Sequence, residues 1–214
     1  MFYPDVHGEE TGPRLLDVAA AARALRASGV LVYPTETFFA IGCLAGDAAG
    51  VAAVFRAKMR PPTRTLPLLA ADAAQAAQVV DMRAMPAGLD VFWPGPLTVL
   101  LPACAGLPAA LVNGQGKAAV RVTPHPLAAA LARAAGGPLT SSSANISGHA
   151  SVSEVRMLEP TLLARVSGVL DGCPRTAGGE PSTLVEPLGG KDLRLLRRGA
   201  VTEETLEQAG WRLC

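Results

Sequence analysis

RLLDVAAAARALRASGVLVYPTETF, residues 14–38, contains the change of hydrophobic period that decides the fold. Leu15, Leu16, Val18, Ala22 and Leu25 recur at helical spacing within residues 14–28, and Gly29 follows as a stop, so this half predicts an amphipathic helix. Val30, Leu31 and Val32 then form a short apolar run broken by Pro34. That run predicts a buried strand which hands Thr35, Glu36 and Thr37 to a hydroxyl-rich turn. A helix leading into a buried strand and then a polar loop is the working unit of an α/β protein.

The same alternation continues downstream. Asp47 can cap a helix running to Ala57 on Val51, Val54 and Phe55, and Pro61 and Pro62 prevent its continuation where the basic segment KMRPPTR (58–64) begins. LPLLA (66–70) predicts a strand, ADAAQAAQVV (71–80) a helix, WPGP (93–96) a tight turn and LTVLLPA (97–103) another buried strand. Later strands are predicted at AAVRV (118–122), STLVE (182–186) and LRLLR (193–197). HPLAAALARAAGG (125–137) predicts a helix closed by glycines, and SVSEVRMLEPTLLARV (151–166) a helical stretch interrupted near Pro160. Several strands are separated by turns too short for a crossover helix, which points to a mixed rather than purely parallel sheet. With no repeat and no dividing linker, one domain over residues 1–214 is expected, its core at about 14–200 and a short C-terminal tail behind it.

Half of the 214 residues are apolar and 17% are charged, the balance of a chain able to bury a core. A formal net charge of +1 supplies no global attraction to nucleic acid or to a membrane, so an anion site must come from local clustering, and Arg56, Lys58, Arg60 and Arg64 form one cluster. The opening MFYPDVHGEETGPR carries acids and no apolar core, unlike a signal peptide or anchor, so a cytoplasmic protein is expected. Cys43, Cys104, Cys173 and Cys214 are far apart, and with His7, His125 and His149 they offer no metal-ligand spacing, so no metal ligands are assigned.

Three segments combine Gly or Pro with hydroxyl, amide or cationic side chains: PTETFFAIG (34–42), KMRPP (58–62) and SSSANISG (141–148). Each ends a predicted element, where α/β sheets hold ligands. Lys58 and Arg60, two apart, would point to one side of an extended backbone and could grip a polyphosphate together; a solvated basic loop is the plainer alternative. Ser141, Ser142, Ser143, Asn145, Ser147 and Gly148 suit phosphate oxygens or a ribose, or equally a hydrogen-bonded turn. No Walker A motif and no GxGxxG fingerprint occurs.

Taken in order, PTET, KMR, AVRV, SSSANISG, GEPSTLV and LRRG resemble the signature of the YrdC-like threonylcarbamoyl-AMP synthase family, in its short single-domain form, over roughly residues 14–200. The resemblance implies a twisted open mixed sheet with flanking helices and a concave, positively charged cleft. It implies that threonine, bicarbonate and ATP are joined into threonylcarbamoyl-AMP with release of pyrophosphate, for N6-threonylcarbamoyladenosine in tRNA. Carried over position by position, Lys58 and Arg60 are the catalytic pair and bind ATP with Ser143, Asn145, Ser182 and Arg198, while Thr35 and Arg121 serve threonine. Where the family has Tyr-Gly-Leu this chain has Phe39, Ala40 and Ile41, and where it has Pro-Leu after the basic motif this chain has Thr65 and Leu66.

On that reading a carbamate of threonine attacks the α-phosphate and no covalent enzyme intermediate forms; positioning and charge stabilisation carry the reaction. Mg²⁺ is expected with ATP, held mainly by phosphate oxygens and water. The expected partners are ATP, L-threonine, bicarbonate and a threonylcarbamoyl transferase acting on tRNA, with no membrane. A double-stranded-RNA-binding module in ribosome or tRNA maturation is the alternative, and a carbamoyl-adenylate enzyme with a different acceptor is another.

Overall fold

The computed structural model describes residues 12–61 and 64–214; the readings of the chain's opening residues, of His7 and of Pro62 lie outside them. Twelve strands and six helices follow in the order β1 (Leu15–Leu16), α1 (Val18–Arg26), β2 (Leu31–Pro34), β3 (Phe39–Gly42), α2 (Ala48–Ala57), β4 (Leu68–Ala70), α3 (Ala73–Ala76), β5 (Leu97–Pro102), β6 (Lys117–Val122), α4 (Pro126–Ala135), β7 (Leu139–Thr140), β8 (Ser142–Ser143), α5 (Pro160–Leu163), β9 (Gly168–Leu170), β10 (Thr183–Gly189), β11 (Asp192–Arg197), α6 (Glu203–Gln208) and β12 (Arg212–Leu213). The strands form two mixed sheets, one ordered β1-β9-β2-β3-β8 and the other β12-β11-β10-β5-β6-β4-β7. The α/β class and the mixed, open sheet character expected from the sequence are both present.

Strand periodicity sorts the side chains between two cores. Val30, Val32, Phe39 and Ile41 join Leu68, Val99 and Val120 in the larger core, which both sheets share. Leu31, Tyr33, Ala40 and Leu69 point the other way, into a smaller core closed by Ala21, Ala22 and Leu25 of α1 and by Leu131 and Ala132 of α4.

Capping sets the helix ends. Asp17 accepts from Ala20 N–H and Asp47 from Ala49 N–H, so α1 and α2 begin beside those residues. Hence Leu15 and Leu16 are not helical: they pair with Val169 and Leu170 as a strand. Gly136, in the left-handed region, closes α4 as expected.

Two helix readings fail. ADAAQAAQVV forms only the four-residue α3, because the Gln75 side chain accepts from Ala71 N–H and donates to Ala132 O, while Val80 bridges Ala103. In 151–166 a single turn at Val155–Met157 precedes α5, and Pro160 starts that helix rather than interrupting one. Beyond residue 200, α6 and β12 are built into the fold, with Trp211 buried in the larger core and Lys191 4.1 Å above its ring, rather than trailing as a tail. No helix of the described residues is long and apolar enough to cross a membrane.

One buried charge ties strands of the larger sheet together. The Glu186 carboxylate on β10 accepts from Lys117 at 2.6 Å and from Arg194 at 2.8 Å. The Lys117 hydrogen bond above all holds this carboxyl below the usual range. A depressed carboxyl stabilises the fold above its unfolded value, about 4.3, and that contribution is lost as pH falls through the lower folded value. Glu186→Gln is therefore expected to lower the urea midpoint at pH 7, with the gap to the parent protein closing as the pH is taken towards about 3. A gap that stays constant over that range would remove Glu186 from the pH dependence.

Candidate active site

The seam between the two sheets lies under the hydroxyl-rich segment. β7 belongs to the larger sheet and β8 to the smaller, so the chain changes sheet at Ser141. Thr140 fastens the crossing: its N–H donates to Cys43 O (2.8 Å), its Oγ1 accepts from Cys43 N–H (3.0 Å), and its carbonyl accepts from Tyr33 OH (2.7 Å). Ser142 and Ser143 then pair with Ile41 and Ala40. PTETFFAIG is thus a hairpin, not a strand-end loop: Thr35 N–H and Oγ1 both donate to Phe38 O, and β3 returns beside β2.

A cleft of about 270 Å³ opens above this seam, lined by Thr35, Thr37, Ser141–Ser143, Ser182 and three arginines, Arg60, Arg121 and Arg197, with no acid in the described lining. Arg121 comes from β6 and is buried. Its Nε lies 3.1 Å from Glu36 Oε1, an ion pair without hydrogen-bond alignment, since neither atom has a hydrogen-bonding partner. The other Glu36 oxygen accepts from Thr123 Oγ1 (2.8 Å).

Arg121 Nη1 donates to Ser182 Oγ (3.1 Å) and Nη2 to Ser141 Oγ (3.3 Å). Arg197 Nη2 donates to the same Ser182 Oγ (2.8 Å), while its Nε and Nη2 reach Ser182 O (3.0 and 2.7 Å). Ser182 Oγ therefore accepts from two guanidinium groups, and its one hydrogen is left for Thr98 Oγ1, 2.8 Å away. Desolvation and then the Arg121 charge lower the pKa of Arg197, although its side chain is exposed at the cleft mouth. A guanidinium keeps its charge in proteins. A single carboxylate does not balance them, so the arrangement suits an oxyanion or polyphosphate.

The expected pairing of Lys58 with Arg60 does not form. Lys58 caps α2 in the right-handed helical region and Met59 adopts φ 50°, so the backbone is coiled there rather than extended. Lys58 is 1% exposed and binds the 143–145 backbone, whereas Arg60 is half-buried, donates to Arg64 O and Thr65 O, and lines the cleft. Asn145 is buried in its own loop and Ser143 faces the cleft.

Arg198 is not brought to the cleft: its side chain is 82% exposed and pairs with Glu203. Arg197, which the sequence reading passed over, is the arginine that faces the site. Unbroken alternation would group Arg197 with the inward Leu193 and Leu195, but the ladder slips there: Leu195 pairs with Val185 and Arg197 with Leu184, so Leu196 is an extra residue and Arg197 leaves the core-facing set. Of the departures from the family pattern, Phe39 and Ile41 belong to the larger core and Ala40 to the smaller, and Phe39 and Ala40 also line the cleft.

These features define an α/β protein with an arginine-lined, hydroxyl-walled cleft at the junction of two sheets. The chain belongs to the Sua5/YciO/YrdC family, described as "Telomere recombination", whose model matches residues 23–199. It is 38% identical over 188 residues to the threonylcarbamoyl-AMP synthase of Alkalilimnicola ehrlichii, covering 86% of this chain and 98% of that protein. Against the protein of the same name from Stenotrophomonas maltophilia it is 38% identical over 184 residues, covering 84% and 98%. The crystal structure of P. abyssi Sua5 complexed with L-threonine superposes with a TM-score of 0.83 at 28% identity, covering 92% of this chain but 58% of that longer one.

Proposed function

We propose that this chain is a threonylcarbamoyl-AMP synthase, condensing L-threonine, bicarbonate and ATP and releasing pyrophosphate. The product would pass to a transferase that forms N6-threonylcarbamoyladenosine in tRNA, which fits a cytoplasmic enzyme. The observation that carries this reading is Ser182 Oγ held between Arg121 and Arg197 in a cleft whose described lining has no acid. Two cations held around one hydroxyl repel each other, and an anionic ligand relieves that repulsion. The names of the relatives, which denote an enzyme, do not favour the RNA-binding alternative.

In this reading Arg60 and Arg197 hold the phosphates, Ser182 spaces Arg197 from Arg121, Ser143 lines the same cleft, and Arg197 takes the place first given to Arg198. Thr35 and Arg121 face the amino acid. The threonine amine adds to bicarbonate with loss of water, and the carbamate oxygen then attacks the α-phosphorus. The bond from that phosphorus to the bridging oxygen breaks, and pyrophosphate leaves with the electron pair. The arginines offset the charge gathered at that point, without a protein nucleophile. Among the described residues no group of three His, Cys, Asp or Glu could hold a metal ion, so Mg²⁺ would arrive on the ATP phosphates, kept by those oxygens and by water.

Purified protein incubated with MgATP, bicarbonate and L-threonine should release pyrophosphate and accumulate an adenylate of the mass of threonylcarbamoyl-AMP. Omitting threonine or bicarbonate should abolish both products. Pyrophosphate release that ignores the amino acid, or none with threonine present, would overturn the reading.

A further inference from the structure

The PTET hairpin carries one acid that the reaction above does not use. The side chains of Arg121 and Glu36 are 7% and 13% exposed, and Arg121 Nε stands 3.1 Å from Glu36 Oε1. Neither atom has a hydrogen-bonding partner, so the contact acts through charge rather than through an aligned bond. Among the described residues Arg121 has no other ion pair. Glu36 itself is not in the described lining of the cleft.

The carboxylate is fixed from two sides. Along the backbone, Glu36 O accepts from Ala177 N–H (3.3 Å) and Thr37 O from Gly178 N–H (2.7 Å), which pins the hairpin at this residue. At the side chain, Oε2 accepts from Thr123 Oγ1 at 2.8 Å. Thr123 is held in turn: its N–H donates to Ala70 O (3.0 Å) and its Oγ1 accepts from His125 N–H (3.1 Å). The single hydrogen of that hydroxyl is thereby committed to Glu36. At the far end of Arg121, Nη1 and Nη2 meet Ser182 Oγ and Ser141 Oγ. Hydroxyls rotate to suit a donor, so those two contacts follow the guanidinium fork, whereas the fixed carboxylate behind it can aim it.

We propose that Glu36 is a positioning residue that aims the Arg121 fork into the cleft, and that it sets the affinity for threonine in this way without touching a substrate. The proposal rests on the threonine role given to Arg121 above.

Two variants of the full chain separate charge from shape. Glu36→Gln keeps the shape and removes the charge, while Glu36→Asp keeps the charge on a shorter stem. In pyrophosphate release, Glu36→Gln is expected to raise the KM for threonine at least about tenfold and the KM for ATP by less than about threefold. Glu36→Asp should stay within about threefold of the parent protein in both. An equal rise in the two KM values, or an Asp variant as damaged as the Gln variant, would overturn the proposal.

A direct readout is the Arg121 Nε–H signal in nitrogen-15 NMR, assigned by its loss in Arg121→Lys. Without any ligand this proton should exchange with water at least about tenfold more slowly than the Nε–H of exposed Arg23, and Glu36→Gln should speed it at least about fivefold. Exchange that is unchanged by Glu36→Gln would overturn the proposal. Should Glu36→Gln not fold, Thr123→Val, which frees Oε2, replaces it: the same exchange rate and the same KM for threonine should move by about threefold, and no movement in either would overturn the proposal. If the unaltered protein released no pyrophosphate, the functional reading would be the one to fail, and the ligand-free exchange rate would still decide whether Glu36 aims Arg121.

Discussion

Arg197→Ala is expected to lower kcat/KM for pyrophosphate release by about two to three powers of ten, and Arg198→Ala by less than about twofold. The two residues are adjacent and chemically identical, so position alone separates them. Arg197 makes three hydrogen bonds to Ser182 and lines the cleft beside Arg60. Its loss removes a cation from the place where phosphate charge is to be gathered, and it also frees Ser182, the residue that spaces Arg121. One charge-assisted hydrogen bond contributes roughly 1.5–3 kcal/mol, so two such bonds on a phosphate, with Ser182 displaced, reach the stated range.

Arg198 makes a solvent-exposed pair with Glu203, and such pairs contribute about 0–1 kcal/mol to the fold and nothing to the cleft. Arg197→Lys should restore part of the activity, keeping the charge but losing the planar fork that reaches both Ser182 oxygens. Steady-state pyrophosphate release at saturating threonine, with far-ultraviolet circular dichroism as the folding control, measures all three variants. A more damaging effect from Arg198→Ala would return the nucleotide role to that residue.

Much of the fold was legible because its local signals agree. Asp47 caps the helix it precedes, Gly136 closes α4, and the apolar runs at 97–103 and 118–122 became central strands, whereas the first helix starts after Asp17 rather than at residue 14. Where reading failed, a long-range contact had overridden the local pattern. The Ala-rich 71–80 run has helical composition, but the Gln75 side chain is fixed to Ala71 and Ala132 and the chain leaves the helix after Ala76.

The site was legible at the level of segments and less so at the level of side chains. That hydroxyls of SSSANISG, the basic motif and Ser182 converge follows from strand ends meeting at a seam. Which cation faces the ligand depends on backbone angles that composition does not carry. Met59 in the left-handed region turned Lys58 inward, and the extra residue at Leu196 of β11 brought Arg197 rather than Arg198 to the cleft. A sequence reading that assumes an extended KMR must get the first wrong, and one that assumes unbroken alternation along β11 must get the second wrong, because it would send Arg197 to the core with Leu193 and Leu195.

The seam itself carries the largest expected stability effect. A Cβ on Gly42 would lie 1.8 Å from Thr140 O and 2.8 Å from Thr140 C, backbone atoms that cannot swing aside as a side chain would. Gly42→Ala must therefore part β3 from the crossing strand, at the cost of the Thr140–Cys43 bonds and the Tyr33–Thr140 bond. Overpacking of this kind costs about 1–3 kcal/mol and each lost hydrogen bond about 0.5–1.5 kcal/mol, so a loss of about 3 kcal/mol or more is expected. For a chain of this size that lowers Tm by about 6–12 °C. Gly46→Ala is the control: nothing lies within 4 Å of its added Cβ, and it should change stability by less than about 0.5 kcal/mol. Because Ser141, Ser142 and Ser143 follow Thr140 directly, the Gly42 variant should also lose about tenfold in turnover at temperatures where it is still folded. Calorimetry and pyrophosphate release on the same samples test both parts. A Gly42→Ala protein that melts with the parent would mean that the sheets do not meet at this distance, and one that melts early yet turns over normally would detach the serines of the cleft from the seam beneath them.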